Sequence, residues 1–246
     1  MIRTAIVAVI DADYRADLAG LRRGARTLSG LARSAAQPTA AYYWSGYADW
    51  RFAINAANED PPDRAAIRAA LATASAAYQE ALAADPGHVE SQIALIGVIG
   101  MQLFFTPQDD PAFRTLMDAG ARISKALPPS AKQNPRLLWL RGGTEFFAPP
   151  PVGRGAEAAM NTYFRGIANA ISTPAPADVA EPSWGLPELL MSAAYVSARL
   201  EDPDWDAAER YAQAALRLRG DWHYVKEVLL PDIRSKKLRE IPSGSE

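Results

Sequence analysis

Apolar residues recur along this chain at steps of three and four. Ile67, Leu71, Ala74, Tyr78 and Ala81 are spaced so that they share one face of a helix. Strictly alternating β-branched runs, which are typical of strands, are almost absent. The pattern therefore predicts helices and no sheet. Two further series have the same spacing: Leu116, Ala119, Ile123, Ala126 and Leu127, and Ala207, Tyr211, Ala214, Ala215 and Leu218.

Proline-rich breaks separate the helical segments, for example at Asp85-Pro86-Gly87 and Asp202-Pro203. The segments between the breaks have roughly 14 to 22 residues, the length of ordinary helices. We therefore expect an all-α fold of about ten antiparallel helices. The longest irregular stretch runs from Ser172 to Pro187 and is expected to be a functional loop or a spacer between helix pairs.

One helical segment has the spacing of a known repeat. Ala74, Tyr78, Ala81 and Pro86 read Ala-x3-Tyr-x2-Ala-x4-Pro, which resembles the second helix and exit turn of a tetratricopeptide repeat. In that arrangement small alanines let two helices approach closely, the aromatic ring fills the space between them, and proline ends the helix. Weaker copies occur at Ala119, Ile123 and Ala126, at Met160, Phe164 and Ile167, and at Ala207, Tyr211 and Ala214, with first-helix counterparts at Trp44, Tyr47 and Ala48 and at Ile93, Ile96 and Gly97.

The resemblance covers most of the chain, from residue 38 to residue 222. It implies an irregular tetratricopeptide-like α-solenoid, with an N-terminal helical segment over residues 1–37 that packs onto a repeat domain over residues 38–240. An unrelated alanine-rich helical bundle is the alternative.

A narrower resemblance concerns the second half of the chain. Asn134-Pro135-Arg136, Phe146-Phe147 and Gly153-Arg154-Gly155 are similar in style to exported bacterial proteins with irregular repeats, among them helical lipoproteins that accompany solute transporters. This resemblance favours the periplasm or the envelope over the cytosol, with the export signal removed. No segment is long and apolar enough to predict a transmembrane helix.

The overall charge argues against nucleic acid as a partner. The net charge is -2, whereas electrostatic binding of nucleic acid needs many clustered cations. Two small basic groups are present, and both are predicted to be solvated helix faces, with contact to anionic lipid or to an acidic partner as the alternative. They are Arg22, Arg23 and Arg26, and Arg234, Lys236, Lys237 and Arg239.

The residues that usually carry chemistry are scarce. The chain has no cysteine and only two histidines, His88 and His223, which are far apart. We therefore expect no disulfide, no metal site, no cofactor and no catalytic residues. His88 is expected at the start of a helix.

Glu145 is the most notable charge, because it lies beside Phe146 and Phe147 in an apolar neighbourhood. Arg141 precedes it by one helical turn, which predicts an ion pair within the helix. The alternative is a polar anchor inside a binding groove.

Aromatic residues form the other candidate site. Tyr43 and Trp50 share one face of a predicted helix and are candidates to line a concave surface, although packing in the core is the default interpretation. The remaining candidates lie in the middle of the chain: Phe104, Phe105, Trp139, Phe146, Phe147 and Trp184.

Three functions are consistent with these observations. The first is a non-enzymatic scaffold that binds a protein or peptide in a concave groove. The second is a carrier for a hydrophobic small molecule or lipid in the bacterial envelope, associated with a transporter. The third is an enzyme that uses Glu145 or Asp109-Asp110 as acid or base, and the sequence favours it least.

Overall fold

The computed structural model describes residues 1–36 and 38–240. Over these residues the chain forms eleven α-helices and no β-strand, which confirms the all-α prediction. A 3₁₀ turn, Pro129–Gln133, precedes α7, and a π-helical turn, Tyr224–Leu229, leads into α11. The helices are α1 Ile2–Tyr14, α2 Leu18–Ser34, α3 Thr39–Ala56, α4 Arg64–Ala84, α5 Val89–Phe105, α6 Pro111–Ala126, α7 Pro135–Phe147, α8 Gly155–Ser172, α9 Leu186–Ser197, α10 Trp205–Leu218 and α11 Leu230–Glu240.

Side-chain caps fix where several of these helices begin. The carboxylate of Asp63 accepts hydrogen bonds from two backbone N–H groups at the start of α4. Asp204 accepts a hydrogen bond from the N–H of Ala207 in α10. His88 is the N-cap of α5, as expected from the sequence, and its ring accepts from the N–H of Ser91. These caps satisfy N–H groups that have no partner within their own helix.

The chain forms two compact units. Unit 1 comprises Met1–Pro129 and Pro176–Ser183, and unit 2 comprises Ser130–Ala175 and Trp184–Glu246. The sequence predicts a boundary at residue 37 between an N-terminal helical segment and the repeat domain. That boundary concerns where the repeats begin, and it stays a prediction.

Unit 1 contains α1 to α6, and each helix packs against the next one in the chain. In addition, α3 packs against both α1 and α5, so that these three helices form one layer. The helices α2 and α4 each pack on α3. Packing of each helix with its near neighbours in the chain is typical of helical repeats.

The contact between α3 and α4 shows the small-against-large packing that the sequence predicts. Tyr78 is fully buried, as are Ala74 and Ala81 on the same face of α4. A Cβ atom added at Gly46 of α3 would lie 3.1 Å from the Tyr78 ring and 3.2 Å from the carbonyl oxygen of Ala74. Glycine therefore allows the two helices to come this close.

A buried polar network joins α1 to α3. Nε of Arg51 lies 2.7 Å from Oδ2 of Asp13, and the two side chains are 4% and 0% exposed. The same carboxylate accepts hydrogen bonds from the Tyr47 hydroxyl at 2.8 Å and from Nδ2 of Asn55 at 2.9 Å. Burial of this charge is tolerated because it has a cation and two further donors.

The segment 176–183, which we call the return segment, belongs to unit 1 although it follows α8 of unit 2. Arg3 donates two hydrogen bonds to Asp178, at 3.1 and 2.7 Å. The indole Nε1 of the fully buried Trp44 donates to the carbonyl oxygen of Ala180 at 2.8 Å. The middle of the predicted Ser172–Pro187 irregular stretch therefore ties α1 and α3 together.

Unit 2 contains α7 to α11, which also pack in chain order, with an added contact between α7 and α9. Its core includes Ala159, Tyr163, Leu189 and Val196. Gly142 of α7 lies directly against the Tyr163 ring of α8.

Candidate functional site

A surface groove of about 690 Å³ lies in unit 1 between α2 and α4, with α3 as its floor. It exists because α2 and α4 both pack on α3 and the side chains that α4 presents to the gap are short. We call it the α2–α4 groove. It is lined by Arg22, Ala25, Arg26, Ser29, Arg33, Tyr42, Ser45, Asp49, Ala66, Ala69, Ala70, Thr73, Ala76, Ala77 and Glu80.

The wall formed by α2 is positively charged. Arg22, Arg26, Ser29 and Arg33 follow at steps of four, three and four, which places them on one helix face. None of the three arginines forms a salt bridge with a carboxylate among residues 1–36 and 38–240. Nη1 of Arg33 donates to the Ser29 hydroxyl at 3.0 Å, and all three arginines are exposed. The Arg22 guanidinium also lies over the Phe52 ring, 4.2 Å from its centroid. The wall therefore offers a ligand three guanidinium groups that have no salt-bridge partner.

The opposite wall, formed by α4, consists almost entirely of small side chains. Ala69, Thr73 and Ala76 are exposed there. The Thr73 hydroxyl donates to the carbonyl oxygen of Ala69 in its own helix at 3.1 Å, so its hydrogen is already used within the protein. Glu80 is the one carboxylate among the groove-lining residues of α4. This wall is suited to contact an apolar surface of a ligand.

The floor of the groove comes from Tyr42, Ser45 and Asp49 on α3. The Ser45 hydroxyl donates to the carbonyl oxygen of Ala25 at 3.0 Å and thereby joins α3 to α2. Burial raises the pKa of Asp49 to about 7, although Arg22 and Arg26 act in the opposite direction. The charge at the floor therefore changes near neutral pH.

Two of the predicted groove residues lie in the core of unit 1 instead. Tyr43 and Trp50 are 1% and 2% exposed, so neither lines the α2–α4 groove. The Tyr43 ring packs against the rings of Trp44, Tyr78 and His88. This is the packing interpretation that the sequence favours as default.

Phe104 and Phe105 lie at the C-terminal end of α5. Phe104 is 81% exposed, and its ring centroid is 5.2 Å from that of Phe105. These two side chains are close to each other but do not line the groove.

The other predicted residues lie in unit 2, where the structure brings some of them together. The Trp139 and Trp184 rings meet edge to face at 5.8 Å, and Nε1 of Trp139 donates to the Ser192 hydroxyl. Phe146 and Phe147 pack against each other and against Tyr195, and Phe147 is 66% exposed. Only part of this aromatic set is accessible to a ligand.

Glu145 is buried and held by three donors. Arg141, one turn earlier, donates to Oε1 at 3.0 Å, Arg154 binds the same oxygen, and the Thr162 hydroxyl donates to Oε2 at 2.6 Å. Burial alone would raise the pKa of Glu145, but the hydrogen bonds from Thr162, Arg154 and Arg141 outweigh it and lower the pKa. A carboxylate that stays ionised and bound in this way is a poor proton acceptor.

The same glutamate has a clear structural task. Its carbonyl oxygen accepts a hydrogen bond from the N–H of Arg154 at 2.9 Å. Glu145 therefore fastens the proline-rich connection between α7 and α8 by both its backbone and its side chain. The ion pair predicted from the spacing of Arg141 and Glu145 is present.

The sequence contained a partial signal for the α2–α4 groove. Arg22 and Arg26 belong to a basic group in the sequence, for which contact with an acidic partner is the alternative to a solvated helix face. Arg33 lies seven residues after Arg26, on the same side of the helix, and continues that stripe. The alanine wall gave no signal, because alanine is common in helices whether or not a ligand is bound.

Comparison with known proteins adds no identification. No family model, no curated protein and no solved structure matches the chain. None of the helices described between residues 1 and 240 is long and apolar enough to cross a membrane. The tetratricopeptide resemblance therefore stays a prediction from the sequence.

Proposed function

We propose that this protein is a non-enzymatic binding protein of tetratricopeptide-like type, and that the α2–α4 groove binds an acidic segment of a partner protein. The observation that carries the proposal is an arginine wall without salt bridges, formed by Arg22, Arg26 and Arg33, that faces a wall of small side chains across an open groove. Cations without a salt-bridge partner favour an acidic ligand, and the alanines provide apolar contact area.

The two walls contribute differently to binding. Three exposed ion pairs are worth only about 0.2–1 kcal/mol each. Burial of apolar surface contributes roughly 25 cal/mol per Å², so contact with the alanine wall supplies most of the affinity. The arginines select the ligand and speed up association.

Neither alternative function is favoured by a specific observation. A carrier for a hydrophobic small molecule needs an enclosed apolar space, whereas the α2–α4 groove is open and has charged groups. An enzyme that uses Glu145 would need a carboxylate free to exchange a proton, and that carboxylate is held by Arg141, Arg154 and Thr162.

Matched pairs of variants test the proposal. Ala69→Trp would obstruct the groove, whereas Ala72→Trp adds the same bulk at an exposed position of α4 that does not line it. Arg26→Glu reverses a charge of the wall, whereas Arg68→Glu reverses an exposed charge outside it. Circular dichroism would confirm that all four variants are folded.

The measurement is affinity capture from a lysate of the source organism, followed by calorimetric titration with the captured protein in purified form. We expect a partner that binds the wild type, Ala72→Trp and Arg68→Glu, and that is lost with Ala69→Trp and Arg26→Glu. Equal binding to all five proteins, or no specific partner for the wild type, would overturn the proposal.

A further inference from the structure

We infer that the occupant of the α2–α4 groove is an amphipathic α-helix, with large apolar residues against the alanine wall and acidic residues spaced to meet Arg22, Arg26 and Arg33. This inference rests on the proposed function and specifies the conformation and residue pattern of the partner. Three features of the groove support it.

The first feature is the length of the two walls. Arg22 and Arg33 are eleven residues apart on α2, which corresponds to roughly 16 Å at 1.5 Å per residue. The alanine wall extends from Ala66 to Glu80, which corresponds to roughly 21 Å. A helix of three to four turns would span both walls.

The second feature is the lack of backbone partners in the groove. Both walls and the floor are α-helices, whose N–H and C=O groups are paired within the helix except at the ends. An extended peptide would bury its own N–H and C=O groups against the alanines without partners, which is costly. A helix satisfies its own backbone and can bury one face at no such cost.

The third feature is the difference in size and charge between the walls. Because Ala69, Thr73 and Ala76 leave space, large side chains on the ligand are needed to fill it, since facing surfaces pack best when large residues meet small ones. The arginines lie on the other side of that space, at intervals of four and seven residues. Acidic residues with the same intervals, on a face next to the apolar face, would meet all three.

A designed peptide tests this pattern directly. The probe is a peptide of 14 residues with leucine at positions 2, 6, 9 and 13, glutamate at positions 1, 5 and 12, and a hydrocarbon staple between positions 3 and 7 on the outer face. On a helix at 3.6 residues per turn, the leucines and glutamates form neighbouring faces. One control has proline at position 7 in place of the staple, and a second has glutamine for each glutamate.

Binding to the full chain would be measured by fluorescence anisotropy. We expect the stapled probe to bind at least tenfold more tightly than either control. Arg26→Glu and Ala69→Trp should each weaken its binding at least tenfold, whereas Arg68→Glu and Ala72→Trp should change it less than twofold. Equal affinity for the proline control, or no effect of Arg26→Glu, would overturn the inference.

Failure of this inference can be distinguished from failure of the proposed function. If a natural partner is captured through the groove but its binding segment is extended, or the probe does not bind, the proposed function stands and the helical occupant is wrong. If neither a partner nor the probe depends on the groove, both are wrong. Binding to anionic phosphatidylglycerol vesicles that is lost with Arg26→Glu, without any protein partner, would assign the arginine wall to a lipid surface and overturn both.

Discussion

The buried pair of Asp13 and Arg51 should make unit 1 unusually sensitive to loss of a single charge. Substitution of Arg51 by methionine keeps much of the side-chain volume but removes the cation that lies 2.7 Å from Oδ2 of Asp13. The carboxylate, whose side chain is 0% exposed, would keep its hydrogen bonds from Tyr47 and Asn55. Loss of one partner from a fully buried ion pair costs about 3–5 kcal/mol.

Arg141→Met is the matched control. Arg141 also pairs with a buried carboxylate, but its own side chain is 54% exposed. Glu145 would still be bound by Arg154 and Thr162. We therefore expect a loss of about 0–1 kcal/mol, the usual range for exposed pairs.

Urea denaturation followed by far-UV circular dichroism measures both effects. For a chain of this size, 1 kcal/mol corresponds to about 2–4 °C in Tm, so Arg51→Met should also lower the Tm by roughly 6–20 °C. The double variant Asp13→Asn/Arg51→Met removes both charges and should recover part of the loss. If Arg51→Met were no more destabilising than Arg141→Met, the inference that burial of the pair governs its cost would be refuted.

Further expectations concern packing and titration. Gly46→Ala should lower the free energy of unfolding by about 1–2 kcal/mol, because its Cβ would press on the Tyr78 ring. At Gly100 an added Cβ would meet nothing within 4 Å beyond its own helix backbone, so Gly100→Ala should raise the free energy of unfolding by about 0.5–1 kcal/mol. Equal effects of the two substitutions in urea denaturation would contradict this. Because the pKa of Asp49 is raised to about 7, the folded state holds this proton more tightly than the unfolded chain. Stability should therefore fall as the pH rises from about 4 to about 7, and Asp49→Asn should flatten that slope in urea titrations. Glu145→Gln should lower the free energy of unfolding by about 1–2 kcal/mol at pH 7. Because the pKa of Glu145 is lowered, the difference in stability between the wild type and this variant should shrink as the pH falls below 4.5. A difference in stability that does not depend on pH would contradict the structural role assigned to Glu145.

The sequence predicted the helices well where proline breaks and apolar spacing agreed. In α4 the predicted series from Ile67 to Ala81 is buried, because the helix is long and packs on both α3 and α5. In α10 the buried positions include Ala208 and Ala212, next to the predicted Ala207 and Tyr211, and the predicted Leu218 is 47% exposed. In an alanine-rich helix, two faces that differ by a small rotation have almost the same apolar spacing. The spacing therefore does not decide which of these faces packs.

The candidate site was harder to predict, for a physical reason. Aromatic residues in a sequence are obvious candidates for a binding surface. Tyr43 and Trp50 are nevertheless buried, because large rings fill the space between closely packed helices. The α2–α4 groove exists because the outer face of α4 lacks large side chains. Asp49 resembled any helical carboxylate, and only the fold shows that it lies at the floor of that groove.

The return segment has a consequence for the order in which the protein can fold during its synthesis. Domains generally fold from the N-terminus as they leave the ribosome, but unit 1 needs residues 176–183, which are made after all of α7 and α8. Until then the indole of Trp44 cannot donate to the carbonyl oxygen of Ala180, and Arg3 cannot donate to the carboxylate of Asp178. The nascent first unit is therefore completed only when much of the second unit has already emerged. A chain truncated after residue 129 would contain six helices without the segment that ties the first and third helices together.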